Sequence, residues 1–309
     1  MDIPKEITNV SSGFTLLGFS DFRCDHRAVF GVFMSVYLLT WTGNLLLLGS
    51  IKLSPHLHTP MYFFLGNLSI VDICFSTVTV PKLLVSLFQG GARISFLGCF
   101  VQMYFFYTLG NAENLLLSVM AFDRYLAVCN PLRYKSIMNT KIQILLVATC
   151  WVVSCLHSLL HSYTVSQLTY CEDRLIPHFF CDITSLIQLS CSSTSLADLL
   201  IHSEGSVEVV TPFILILISY LLIAKAILQL KTAKGRSKAF SSCSSHLIVI
   251  CLFYGSVIFI HFRPSANYSA DYNRLVSVLY TVLTPMLNPF IYSLRNEEVR
   301  NTLKIFFTK

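Results

Sequence analysis

The sequence predicts an all-α membrane protein: seven transmembrane helices in a bundle, followed by a short amphipathic C-terminal helix. Three observations carry this. Only 12% of the 309 residues are charged and 54% are hydrophobic, against about 25% charged in a typical soluble domain. Seven long apolar stretches each approach or exceed the ~20 residues a helix needs to cross ~30 Å of hydrocarbon. The basic residues gather on one side of those stretches. A large soluble core cut into apolar helices would need far more charge on its outer faces.

The stretches follow in order. Ala28–Ile51 carries no Asp, Glu, Lys or Arg; Met61–Val80 carries only Asp72; Ile94–Phe122 carries only Glu113. Ile142–Tyr170 carries none, Ile201–Ala224 carries Glu204 and Glu208, and Ala239–Phe262 and Leu275–Leu294 carry none. The expected organisation is an outer N-terminal segment over 1–27, the bundle over 28–294, and a cytoplasmic amphipathic helix and tail over 295–309.

Orientation follows from the loops. The first, third and fifth connections with the C-terminal tail hold 14 of the 22 Lys and Arg residues, and the other side holds 8. Acids run the other way. The basic side is expected to be cytoplasmic, which puts the N-terminus outside the plasma membrane. The net charge of +6 is thereby accounted for by topology, and its spread over short loops argues against nucleic-acid binding. No short apolar core precedes residue 28, so the first span is expected to act as its own insertion signal. Asn9-Val10-Ser11 is then an accessible glycosylation sequon. Asn267-Tyr268-Ser269 is a second, and Asn67-Leu68-Ser69 is out of reach inside a span.

Four of the 11 cysteines stand apart. Cys99, Cys171, Cys181 and Cys191 lie at the outer end of span three and in the long loop after span four, where disulfides are expected. Four cysteines allow three pairings. Two bridges would fold that loop over the bundle mouth, leaving Cys24 over.

Polar residues inside the spans need partners. Asn44, after Gly43, and Asp72 are expected to find each other or water. Asp72 and Glu113 together suggest a hydrated cavity suited to Na⁺; no other cofactor is indicated. Span six follows a basic segment from Lys231 to Lys238, the pattern of a helix end that moves and meets an acidic partner. In span seven, Pro285 and Pro289 break the hydrogen-bond ladder. Asn288 is expected to satisfy a freed carbonyl, and Asn288-Pro289-x-x-Tyr292 reads as a hinge. Leu294, Val299, Leu303 and Phe306–Phe307 form the apolar face of the last helix, lying against membrane lipid. Asp123-Arg124-Tyr125 ends span three with a charge pair, and charges at such depth usually have a job. The pair reads as a switch: the carboxylate holds the guanidinium in one state and a partner claims it in another.

Gly43-Asn44, Asp72, Cys99, Asp123-Arg124-Tyr125 and Asn288-Pro289-x-x-Tyr292, in this order on successive spans, resemble the rhodopsin-like class of G protein-coupled receptors. Longer strings narrow the resemblance to vertebrate odorant receptors of the tetrapod-type branch. They are Pro60-Met61-Tyr62-Phe63-Phe64-Leu65, Met120-Ala121-Phe122-Asp123-Arg124-Tyr125-Leu126-Ala127-Val128-Cys129, Phe180-Cys181-Asp182, Ser219-Tyr220, the run Lys238 to His246, and Pro285 to Asn296. Phe122 stands where that family usually has Tyr, a small departure. The resemblance implies bridges Cys99–Cys181 and Cys171–Cys191. It also implies that Arg124 engages a G protein when span six swings out, with Tyr220 and Tyr292 stabilising the open form, and that Tyr254 replaces a tryptophan toggle. The implied partner is the olfactory stimulatory G protein, raising cyclic AMP, and the implied ligands are small hydrophobic volatiles. The wider class would also admit another small endogenous ligand outside the nose.

Helical spacing proposes the pocket: Phe106, Tyr107, Gly110 and Asn111 on span three; Glu204 and Glu208, one turn apart, on span five; Tyr254, Val257, Ile258 and His261 on span six; Ser277, Tyr280 and Thr281 on span seven. Such a wall is apolar and aromatic with a few polar anchors. Two acids so close are not expected to be both ionised, so at least one is expected to contact the ligand by a hydrogen bond. Phe106 stands where amine receptors carry an acid, which points to an alcohol, aldehyde, ketone or ester. Other seven-span functions fit less well. A retinal protein needs a lysine in span seven, and Leu275–Leu294 has none. An enzyme would need a catalytic motif around Asp72 and Glu113, and a transporter would more often show two related halves.

Overall fold

The structure, a computed structural model, describes residues 13–20, 22, 25–171, 174–261, 270–294 and 299–302. Seven long helical rods run through it. They are α1 (His26–Leu53), α2 (Pro60–Gln89), α3 (Phe96–Cys129), α5 (Thr140–Ser166), α7 (Ser195–Leu200) continuing into α8 (Ser206–Gln229), α9 (Ala233–His261), and α10 (Ala270–Val278) continuing into α11 (Thr284–Leu294). The last two composite rods each pass through one π-helical turn, Ile201–Gly205 and Leu279–Leu283. Short helices α4 (Pro131–Ile137) and α6 (Ile183–Gln188) lie in connections.

Local sequence sets the rod ends. Asp25 caps α1 by accepting from the Arg27 and Ala28 amides, Ser95 caps α3 through the Gly98 amide, and Asn139 caps α5 through the Ile142 amide. Each satisfies an N–H that has no partner within its own helix. Gly90 closes α2 at φ 70°, a left-handed turn that suits glycine.

Five rods are long and apolar enough on their own to cross a membrane. In α9, Ala233–Ser241 and Cys243–Ile258 qualify together across a 43° bend. The remaining rod, α3, is interrupted by Gln102, Asn111, Glu113, Asn114, Asp123 and Arg124. It can be so because it lies inside the bundle, packed on α2, α5, α8 and α9. Leu145, Leu156, Ile214 and Leu221 face outward from α5 and α8, a surface suited to lipid and not to water.

At one end of the bundle a roof forms. A three-stranded sheet in the order β2-β1-β3 joins β1 (Phe14–Leu16), antiparallel to β2 (Ala92–Ile94) and parallel to β3 (Leu175–Ile176). Phe14, Leu16, Ala92, Ile94 and Ile176 are buried in it. Bridges Cys99–Cys181 and Cys171–Cys191 pin the long loop there. The polar N-terminal stretch did not announce β1, because three residues carry no readable period and the strand's partners lie far away in the chain.

The polar residues of the bundle pair differently from expectation. Asn44 and Asp72 do not meet. The Asn44 amide donates to the carbonyls of Thr40 at 2.9 Å and Pro285 at 3.1 Å. Asn288 donates to both oxygens of Asp72 at 3.1 Å. The carbonyl that Pro289 leaves free is thus served from α1, and Asn288 ties α11 to α2. Gly43 makes the first contact possible: a Cβ there would sit 3.0 Å from Pro289 Cγ.

Residues 299–302 are helical, with Val299 buried; the rest of the expected amphipathic helix, Asn9, Asn267 and Cys24 lie outside the described residues.

Candidate ligand pocket and charge switch

Beneath the roof an aromatic cluster closes on Phe106. Phe180 stacks on it with ring centroids 4.0 Å apart, Phe75 lies at 5.0 Å and Tyr280 at 6.2 Å. The Cys99–Cys181 bridge places Phe180 there, since its neighbour in sequence is tied to the top of α3. Tyr107 donates to Asp182 Oδ1 at 3.1 Å, which fixes the roof loop to α3. His178 Nε2 lies 3.2 Å from Ser277 Oγ on α10, and the Tyr280 hydroxyl donates to the same oxygen at 3.5 Å. Burial holds His178 down at about 4; Asp182 opposes that shift and Arg274 adds to it. Thr281 is buried with its hydroxyl spent on the Ser277 carbonyl. A Cβ at Gly110 would sit 3.9 Å from Phe75 Cζ, an ordinary contact.

A polar seam runs beside this cluster. His157 Nδ1 lies 2.9 Å from Glu208 Oε2 and 3.0 Å from the Asn111 amide. Asn114 donates to the Glu208 carbonyl at 3.0 Å and accepts from the Tyr254 hydroxyl. Span three, span five and span six are therefore joined through Asn114. Glu208 turns to α5 across this seam, and Glu204 is exposed on its π turn. Val257 packs partly buried against the main core. Ile258 is 47% exposed and stands away from the cluster. The His261 side chain lies outside the described residues. His157 escaped sequence analysis, although its four-residue spacing from His161 on an otherwise apolar helix was a visible signal.

At the opposite end of α3 the charge pair is closed. Asp123, fully buried, accepts from Arg124 Nη2 at 2.6 Å and Nε at 3.2 Å. The Tyr134 hydroxyl on α4 donates to the other carboxylate oxygen at 2.7 Å. Burial and the adjacent Asp123 charge hold that phenol well above its ordinary range. Tyr125 packs against the core beside it. Tyr220 meets His246 Nδ1 at 2.8 Å, linking α8 to α9, and Ser245 donates to the Ile291 carbonyl at 3.1 Å. Tyr292 is buried, and its hydroxyl has no hydrogen-bond partner among the described residues; Pro289 abuts Gly43. Tyr134 and His246 as holding partners were not foreseen, because each meets its partner across helices.

An aromatic cluster at one end and a closed ion pair at the other are carried on one helix. A family model described as olfactory receptor matches residues 33–309. The chain belongs to the olfactory receptor family. Among its relatives, olfactory receptor 1f45 of Rattus norvegicus and olfactory receptor 1F1 of Homo sapiens are each 49% identical over 299 residues, covering 96% of both chains. Olfactory receptor 1L4 of Homo sapiens is 47% identical over 300 residues, 97% of this chain and 96% of that one. The protein is a multi-pass membrane receptor of the odorant-receptor class of G protein-coupled receptors, and not an enzyme.

Proposed function

We propose that this receptor binds a small hydrophobic volatile beneath the roof and activates a heterotrimeric stimulatory G protein of the olfactory type, raising cyclic AMP. The observation that supports this best is the continuity of α3. Phe106, in the aromatic cluster, and Arg124, in the charge lock, lie on one helix, about 27 Å apart at 1.5 Å per residue. A ligand that favours one packing of the cluster can bias the lock through that rod and through the Asn114–Tyr254 link to span six.

The ligand lies against Phe106, Tyr107, Tyr254, Val257 and Tyr280, with Asn111 and Ser277 as polar anchors. Its apolar body matches the wall, and an oxygen function suits the anchors. The N-terminus and roof face outside and the lock faces the cytoplasm, as the 14-to-8 distribution of Lys and Arg favours. Asp72 and Glu113 hold Na⁺ in the bundle: both carboxylates are buried and share the Asn288 amide as a neighbour, a setting that suits a hard cation with oxygen ligands. The test is a panel of volatiles presented to cells carrying the receptor and the olfactory stimulatory G protein. At least one oxygenated volatile raises cyclic AMP above receptor-free cells; a signal that needs a different class of G protein contradicts the coupling.

A further inference from the structure

His157 and His161 lie four residues apart on α5 and so share a face. Their Nε2 atoms confront each other at 3.0 Å, with ring centroids 4.3 Å apart. Glu204 comes from the neighbouring rod. One nitrogen from each histidine and a Glu204 oxygen all lie within 4.8 Å of one another. Tetrahedral ligands at Zn–N distances of ~2.0–2.1 Å stand about 3.3 Å apart, so the two imidazoles are already near that separation. Glu204 sits on a π-helical turn and its side chain is exposed.

The surroundings point to a ligand as well. Glu208 Oε2 lies 2.9 Å from His157 Nδ1. A carboxylate accepting the Nδ1–H leaves the Nε2 lone pair aimed at His161, which is how outer carboxylates orient metal-bound histidines. The Asn111 amide also lies 3.0 Å from Nδ1, and a half-turn of that amide offers its oxygen to the same proton.

We propose that His157, His161 and Glu204 form a zinc site between α5 and the span-five rod, with Glu208 as the positioning carboxylate. Two imidazoles and one carboxylate are the donor set Zn²⁺ prefers over Mg²⁺ or Ca²⁺, and three protein ligands leave a fourth position for water or another donor. The bound ion staples the two rods one turn before the Glu208 carbonyl, which Asn114 holds. Zinc therefore acts on the same seam that joins the pocket to span six. This site goes beyond the odorant reading and does not depend on which volatile binds.

The experiment uses the full-length receptor, purified in detergent and stripped of metal, with thermal unfolding and equilibrium zinc binding as readouts. ZnCl₂ raises the melting temperature and binds with a stoichiometry that falls by one in Glu204→Gln and in His161→Asn; MgCl₂ does neither. Glu208→Gln keeps the site but weakens it, about 10- to 100-fold by analogy with outer-shell changes elsewhere. Glu204→Gln alters an exposed side chain and keeps the fold testable if His161→Asn does not. A zinc-dependent shift that is absent in the wild type, or undiminished in Glu204→Gln, overturns the site and leaves an ordinary histidine–histidine hydrogen bond.

Discussion

The side-chain amide of Asn44 donates to the main-chain carbonyl of Pro285 at 3.1 Å. That carbonyl would ordinarily accept from the amide four residues on, but Pro289 has none to give. One side chain of the first span thus repairs the ladder of the last.

Asn44→Ala removes the repair and leaves a buried carbonyl without a partner, which costs about 1–3 kcal/mol. Thermal unfolding of the purified receptor should show a lower melting temperature than the wild type. An unchanged melting temperature would mean that water serves the carbonyl equally well.

Gly43→Val should be worse than Gly43→Ala. The first Cβ already sits 3.0 Å from Pro289 Cγ, and the extra methyl groups force the two rods apart, an overpacking cost of roughly 1–3 kcal/mol. The order of melting temperatures, wild type above Ala above Val, is the check.

Tyr134→Phe deletes the hydroxyl that donates to Asp123 at 2.7 Å. A hydrogen bond to a charged group contributes about 1.5–3 kcal/mol, so the lock loosens. Cyclic AMP without ligand should rise several-fold at equal surface expression. Basal signalling at or below the wild-type level would show that Tyr134 does not restrain Arg124.

His178 makes stability depend on pH. In the folded roof its imidazole is held at about 4, against about 6.5 when unfolded. Asp182, Arg274 and Ser277 are the groups that face it. Between those values the unfolded chain binds more protons, so stability rises with pH. The contribution is fully present above about 6.5 and is lost as the pH falls toward 4. The melting temperature of the wild type should therefore drop between pH 7.5 and pH 5 more than that of His178→Gln; parallel curves would remove His178 from the account.

The seven rods were legible because apolar runs of that length have one physical meaning, and the ion pair because Asp123 and Arg124 are neighbours in sequence. What the chain concealed are partners brought together only by folding. Asn44 and Asn288 were both recognised as polar residues in need of partners, yet their partners are exchanged relative to expectation. The reason is that helix rotation decides which of two nearby acceptors an amide reaches. The β1 strand depends on two distant segments. Glu208 was expected to line the pocket beside Glu204, but the imidazole that faces it belongs to a helix whose rotation no spacing in span five could reveal.

The central claim is that the Asp123–Arg124 pair is a lock that a ligand opens from the other end of α3. It is tested most directly by ligand-dependent cyclic AMP in cells supplied with the olfactory stimulatory G protein, comparing the wild type with Arg124→Ala at matched surface expression. The account predicts that an odorant active on the wild type raises no cyclic AMP through Arg124→Ala. A full response from that variant would contradict it.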